Sequence, residues 1–291
     1  MADFAKATTA KHKPVLLKES LETLDLKEGE VFVDGTFGGG GHSREVKRRF
    51  GNSVRIIGVD QDPAVALRNK DFDVRTENFR HIDRALGVLS PDAILLDIGL
   101  SSDQIDDSGR GFSFQRDEPL DMRMSQVGVT AAEILNSWDS SAIELILRGF
   151  GEEKYSRRIA GEIVRRRAMK PFETTFELVE AINSSVPVFY KKGRLHPATR
   201  TFQALRIAVN EELTALEEGL SHSWEVLNPG GRLAVITFHS LEDRIVKNFF
   251  RDKTREKLGL LVAKKPVVPS AEEISENPRS RSAKLRVIKK L

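Results

Sequence analysis

The sequence predicts an open α/β domain, a mainly parallel sheet covered by helices, interrupted after its fourth strand by an all-helical insertion. Three observations carry this. Strand-like and helix-like segments alternate through the first hundred residues. Every periodic segment from Val129 to about Tyr190 is helical. Strand character then returns after the turn Asn228-Pro229-Gly230-Gly231.

Taken in order, Val31-Phe32-Val33 is a short apolar run closed by Asp34 and followed by glycines, with a helix expected over about His42 to Phe50. Val54 to Val59 is a second strand, closed by Asp60, and Asp62-Pro63 is placed to start a helix. A weaker strand near Phe72 to Arg75 precedes a helix around Ile82 to Val88. Ala93 to Leu96 forms the fourth strand and ends at Asp97. Residues 98 to about 127 are rich in Gly, Ser and Asp and read as a long loop. Helical periodicity then covers Ala131–Leu135, Ser141–Leu147, Glu152–Met169 and Phe176–Asn183. A single long helix is expected from Thr199 to Val226, then a buried strand over Arg232–Phe238 and a helix from Leu241 to Arg251. Leu260–Ala263 and Leu285–Ile288 are two late strands joined by a Pro/Glu/Ser-rich loop. The domains expected are 1–104 with 199–291 for the α/β part, and 105–198 for the helical insertion.

Composition narrows the function classes. The chain has 291 residues, 40% hydrophobic and 31% charged, the balance of a soluble globular protein. No apolar run reaches the ~18 residues of a membrane span. The polar, basic stretch before Pro14 carries no signal-peptide pattern, so a cytoplasmic location is expected. With no cysteine there is no disulfide scaffold, thiolate metal site or cysteine nucleophile. No H-x-x-x-H or calcium-loop pattern occurs, so no metal is expected, and the absence of G-x-S-x-G argues against a serine triad. Net charge is only +3, but it is uneven. Gly151 to Arg200 holds eleven Lys/Arg against six Asp/Glu, and Arg251 to the end holds twelve against five. Two basic segments on an otherwise acidic body suit a polyanionic partner, although solvated helix faces produce the same pattern.

The strongest local signal is Asp34-Gly35-Thr36-Phe37-Gly38-Gly39-Gly40-Gly41-His42, a glycine loop between strand and helix. Such a loop allows close backbone approach of a ligand, and the free N–H groups at the helix start attract it. Asp60 closes the next strand, where a carboxylate can bind a ribose diol. An adenosine-type cofactor across these strand ends follows. A dinucleotide fingerprint fails at Ser43, and carboxylates at Asp34 and Asp97 would repel a pyrophosphate. S-adenosylmethionine (SAM), a cation without phosphate, suits this edge better than NAD.

Together with His12-Lys13-Pro14-Val15-Leu16-Leu17, Leu95-Leu96-Asp97-Ile98-Gly99, Arg110-Gly111-Phe112-Ser113-Phe114, Pro119-Leu120-Asp121-Met122-Arg123-Met124, His196-Pro197-Ala198-Thr199-Arg200 and Phe238-His239-Ser240-Leu241-Glu242-Asp243-Arg244, this loop resembles the RsmH (MraW) family of 16S ribosomal RNA cytosine-N4 methyltransferases. The resemblance runs over nearly the whole chain. It implies a Rossmann-like, SAM-dependent fold with a helical substrate-recognition insertion, acting on a decoding-centre cytidine of 16S rRNA in the small ribosomal subunit. Carried over by position, Gly40, Gly41 and His42 would contact SAM, Asp60 the ribose and Phe79 the adenine. Asp97 and Gln104 would line the methionine side, with Asp97 also the expected catalytic group. The Pro-Pro motif of many amino-methyltransferases is absent, so Asp97 and the loop after it are the candidates for accepting a hydrogen bond from the target amine. Phe112 and Phe114 could stack on the base or anchor the insertion, and His239 could touch substrate or cap a helix. Arg157, Arg158, Arg165, Arg166 and Arg167 are candidates for RNA phosphate contacts. An RNA-binding assembly factor without turnover, a nicotinamide oxidoreductase and a DNA amino-methyltransferase are the weaker readings.

Overall fold

A computed structural model describes residues 13–99, 109–125 and 127–291. The chain divides into two compact units, Met1–Ser101 with Glu217–Leu291, and Ser102–Leu216.

The first unit is built on a seven-stranded sheet. Its strands are β1 (Val31–Asp34), β2 (Arg55–Asp60), β3 (Asp73–Thr76), β4 (Ala93–Asp97), β5 (Arg232–Thr237), β6 (Gly259–Leu261) and β7 (Lys284–Lys290), in the order β3-β2-β1-β4-β5-β7-β6. β7 pairs antiparallel with both β5 and β6, while the other pairings are parallel. β4 is apolar over four consecutive positions because both faces of a parallel sheet are covered. Ala93 and Leu95 join a core with Phe32, Val46 and Ile236, and the intervening Ile94 and Leu96 are equally buried.

Helices α1 (Leu17–Leu24), α2 (Gly41–Phe50), α3 (Pro63–Arg68) and α4 (Ile82–Leu86) belong to this unit. The Asp62 side chain accepts from the Ala64 N–H, capping α3 as its Asp-Pro start predicts. α1 was not anticipated, although Leu17, Leu21 and Leu24 recur at helical spacing and the last two are buried. The segment expected to be a loop between β6 and β7 contains a further short helix, Ala271–Glu276, whose Glu273 accepts the Leu16 N–H at 2.8 Å.

The second unit contains α5 (Ala131–Ser137), α6 (Ser140–Gly149), α7 (Ser156–Arg167), α8 (Thr175–Ser185), α9 (Val188–Lys191) and α10 (Thr199–Asn210). α6 packs on α7, α7 on α8, and α10 on α6. Ile143, Leu147, Ile159, Ile163, Ile182 and Leu205 are fully buried. Residues 199–216 thus group with the helical unit rather than with the sheet, because α10 buries Phe202, Ala204 and Leu205 among these helices.

The single helix expected from Thr199 to Val226 is two, α10 and α11 (Glu212–Val226). They break at Glu211, whose φ of 50° is left-handed. Asn210 diverts the chain there by accepting from the Met124 N–H at 2.7 Å and donating to Met122 O at 2.8 Å. Arg206 and Glu212 pair across the break at 2.7 Å. Two further helices, α12 (Ser240–Arg255) and α13 (Ala271–Glu276), complete the described α-helices, and short 3-10 turns lie at Phe79–His81 and Pro278–Ser282.

Candidate active site and cofactor cradle

Parallel strands end on a common edge, and in this order β1 lies between β2 and β4. Asp34, Asp60 and Asp97, the last residues of those three strands, therefore share that edge. This is where ligands of open α/β sheets bind.

Asp34 is 1% exposed. Its Oδ2 accepts from Ser43 Oγ at 2.7 Å, while Oδ1 is buried without a hydrogen-bond partner. Burial is the main cause that pushes its carboxyl up to about 6, opposed by the Ser43 hydroxyl. Asp60 accepts from the Gly38 N–H at 2.7 Å and the Asp62 N–H at 2.9 Å, and burial raises its pKa as well. Asp97 is partly exposed at its strand end and accepts from the Gly99 N–H at 3.2 Å. Desolvation raises its pKa; His42 opposes the shift, and Asp34 and Glu242 add to it. Three carboxylates that resist ionisation at one edge are a poor setting for an anion and a good one for a cation.

The glycine loop is shaped by Phe37. Its N–H donates to Val59 O at 2.9 Å, and its buried ring fills the space beside Gly40 and Gly58. A Cβ on Gly40 would stand 2.6 Å from that ring, and the φ of +69° there also requires glycine. A Cβ on Gly39, by contrast, meets nothing within 4 Å, so the loop's backbone is open to close approach. Gly41 begins α2 and packs on Pro14, 2.9 Å from where its Cβ would be. The His42 ring is turned to Val15 O, with Nε2 at 3.1 Å, and the residue stands second in α2, in the turn where helix N–H groups lead. Phe79 follows β3 and lays its ring against Gly219 of α11, 2.6 Å from a Cβ position. Gln104 lies outside the described residues, as do Leu100 to Ser108.

Three contributors escaped sequence reasoning. Thr36 Oγ1 accepts the Asp97 N–H at 2.6 Å and ties the ends of β1 and β4 together. Ser43 holds Asp34. Glu242, 1% exposed, accepts from Phe238 N at 2.7 Å and His239 N at 3.1 Å. His239 is the N-cap of α12, with Nδ1 accepting from the Glu242 N–H. The His-x-x-Glu spacing is a capping-box pattern and was the available signal. Phe238 in turn packs on Gly99, 2.7 Å from its Cβ position. In the helical unit, Phe112 is buried, and Phe114 stacks on His196 at 4.6 Å and meets Phe202 edge-on at 5.4 Å.

A sheet reversed only at β7, with a glycine cradle at β1 and a cation-favouring acidic edge, defines a Rossmann-like methyltransferase. The chain belongs to the MraW methylase family, whose profile matches residues 9–291. It is 46% identical to Ribosomal RNA small subunit methyltransferase H of Heliobacterium modesticaldum, covering 96% of this chain and 98% of that one. The protein of the same name from Carboxydothermus hydrogenoformans is 47% identical over 96% and 98% of the two chains. That of Deinococcus radiodurans is 48% identical over 97% and 91%. Among solved structures, precorrin-6y C5,15-methyltransferase from Geobacter metallireducens GS-15 aligns over 99% of this chain and 93% of that one, with 11% identity and a TM-score of 0.42, too remote to bear on function.

Proposed function

We propose that the chain transfers a methyl group from SAM to the exocyclic N4 of a decoding-centre cytidine in 16S rRNA, within the small ribosomal subunit and in the cytoplasm. The observation that carries this is near-full-length similarity to proteins named as small-subunit rRNA methyltransferases, at 46–48% identity. The acidic edge supports the cofactor. SAM has an ammonium, a sulfonium and a ribose diol, and no phosphate. The residues present fit it: the carboxylates of Asp34 and Asp97 would offset the cationic end, Asp60 would bond the diol, and the backbone at Gly39, where a Cβ would meet nothing within 4 Å, would admit close approach.

In this reading Gly40, Gly41 and His42 hold the cofactor through backbone groups, Phe79 lies on the adenine side, and Asp97 with Gln104 lines the methionine side. Bound there, SAM supplies a methyl group on an already strongly electrophilic sulfur. The chain's own work is alignment and proton management. The cytosine amine is a weak nucleophile because its lone pair is delocalised into the ring. Asp97, fixed by Thr36 and Gly99, accepts a hydrogen bond from that amine as it becomes tetrahedral. The target base must be unpaired or flipped, at a cost of a few kcal/mol. The helical unit, Ser102–Leu216, serves substrate recognition, with its basic surface toward rRNA.

The test is a labelled-SAM reaction on small subunits lacking the modification, with free 16S rRNA alongside, followed by nucleoside mass analysis. N4-methylcytidine from subunits is the expected product. A different methylated nucleoside overturns the atom assigned, and label on free RNA alone overturns the subunit as substrate.

A further inference from the structure

Outside the cradle, His81 and Asp83, two residues apart, come together with His222 from a helix far along the chain. Each offers one ligand atom, and the three atoms lie within 4.8 Å of one another. His81 closes the single turn after β3 that begins with Phe79, Asp83 follows in α4, and His222 comes from α11. All three side chains are half-buried.

Their hydrogen bonding is incomplete in one direction. His222 Nδ1 lies 2.6 Å from Arg80 O, and because a carbonyl only accepts, Nδ1 carries the proton and Nε2 keeps its lone pair. A ligating histidine whose other nitrogen donates to a backbone carbonyl is the usual arrangement at metal centres. Asp83 Oδ1 is 3.4 Å from that committed Nδ1, has no hydrogen bond of its own and is cut off from solvent. His81 Nδ1 is likewise buried without a partner. The two imidazole centroids stand 6.2 Å apart. That is within about 1 Å of the spacing of two rings on one ion with bonds of ~2.0–2.1 Å. The neighbouring cation, Arg80, is occupied by Glu218 at 2.9 Å.

We propose that His81, Asp83 and His222 form a site for a divalent transition-metal ion of borderline character, Zn2+ foremost, which staples the turn after β3 to α11. Two imidazoles and one carboxylate with water in the remaining position is a known zinc donor set, and harder ions such as Mg2+ are disfavoured by the nitrogens. The ion sits two residues from Phe79, whose ring already rests on Gly219, one turn before His222. It thereby fixes the segment that carries Phe79.

The test titrates chelator-treated full-length protein with Zn2+ against a chromophoric competitor, and separately with Co2+ while recording its visible absorption. One equivalent is expected to bind, with nitrogen-ligated Co2+ bands. Each of His81→Gln, Asp83→Asn and His222→Gln should weaken Zn2+ binding at least tenfold. His196→Gln, at a histidine of the helical unit, should leave it unchanged. Absence of saturable one-to-one binding overturns the proposal, as does binding that none of the three substitutions weakens. Three separate variants, each checked by circular dichroism, guard against one that fails to fold.

Discussion

Burial holds the Asp34 carboxyl protonated up to about 6, against an ordinary 3.8, and the Ser43 hydroxyl is the strongest force in the other direction. The sign follows directly. A raised folded-state pKa contributes stability that is whole below about 3.8 and is lost as pH rises through about 6. Above that, the ionised carboxylate is a standing cost, reduced by the charge-assisted bond from Ser43. Ser43→Ala should therefore cost ~1.5–3 kcal/mol at pH 8, where the acceptor is charged, and ~1 kcal/mol at pH 4. Urea midpoints at the two pH values measure this, and equal losses would count against a titrating Asp34. Because Asp34, Asp60 and Asp97 are all shifted upward, affinity for cationic SAM should fall as the solution is acidified, read by calorimetry between pH 5 and 8. Asp97→Ala separates two roles. A loss of turnover beyond a hundredfold, with SAM affinity within about threefold of wild type, assigns Asp97 to the transfer step. A parallel loss of both would confine it to holding the cofactor.

At the scale of elements, α12 begins with a buried box in which Glu242 satisfies both Phe238 N and His239 N. Glu242→Ala leaves those donors unpaired and should destabilise the fold by ~2–3 kcal/mol, measured by chemical denaturation. Since Phe238 braces Gly99, the same variant should lower turnover more than its stability loss explains; unchanged turnover would detach the box from the Asp97 loop. These connections explain what was legible in the sequence. The strands and their terminal acids could be read because burial on both faces writes an uninterrupted apolar run that stops at a carboxylate. The parts that join them could not. Thr36 meets Asp97 across 61 residues, and no local pattern encodes that pairing. The break at Glu211 has neither Gly nor Pro to announce it, since Asn210 is diverted by contacts with Met122 and Met124. Helix Ala271–Glu276 is short and without buried residues, held by a tether from Glu273 to Leu16. His81, Asp83 and His222 lack any motif spacing for the same reason.

For the whole molecule, the question is which of its many cations meet RNA, and the helical unit sorts its own. Arg165 and Arg166 both bond Glu162, at 2.6 and 2.8 Å, and hold its carboxyl down to about 2. Arg167 donates to Leu135 O at 2.8 Å and Trp138 O at 2.5 Å, closing the end of α5. Arg157 and Arg158 are exposed on the same helix, the latter 5.8 Å from the Tyr155 ring centre. Charge count alone treats the five alike; their partners do not. Phosphate binding is driven by counterion release, so each lost contact should flatten the dependence of log affinity on log salt by ~0.7–0.9. The double variant Arg157→Ala, Arg158→Ala should show that flattening while its melting temperature stays within a degree or two of wild type. Arg167→Ala should do the opposite, losing ~1–2 kcal/mol of stability with the salt slope intact, because its guanidinium is spent on backbone carbonyls. Filter binding of 16S rRNA from 50 to 300 mM salt, beside thermal melts, resolves the two. If Arg167→Ala flattens the slope as much as the double variant, the division of this helix into structural and RNA-facing arginines fails, and the basic surplus acts as one undivided field.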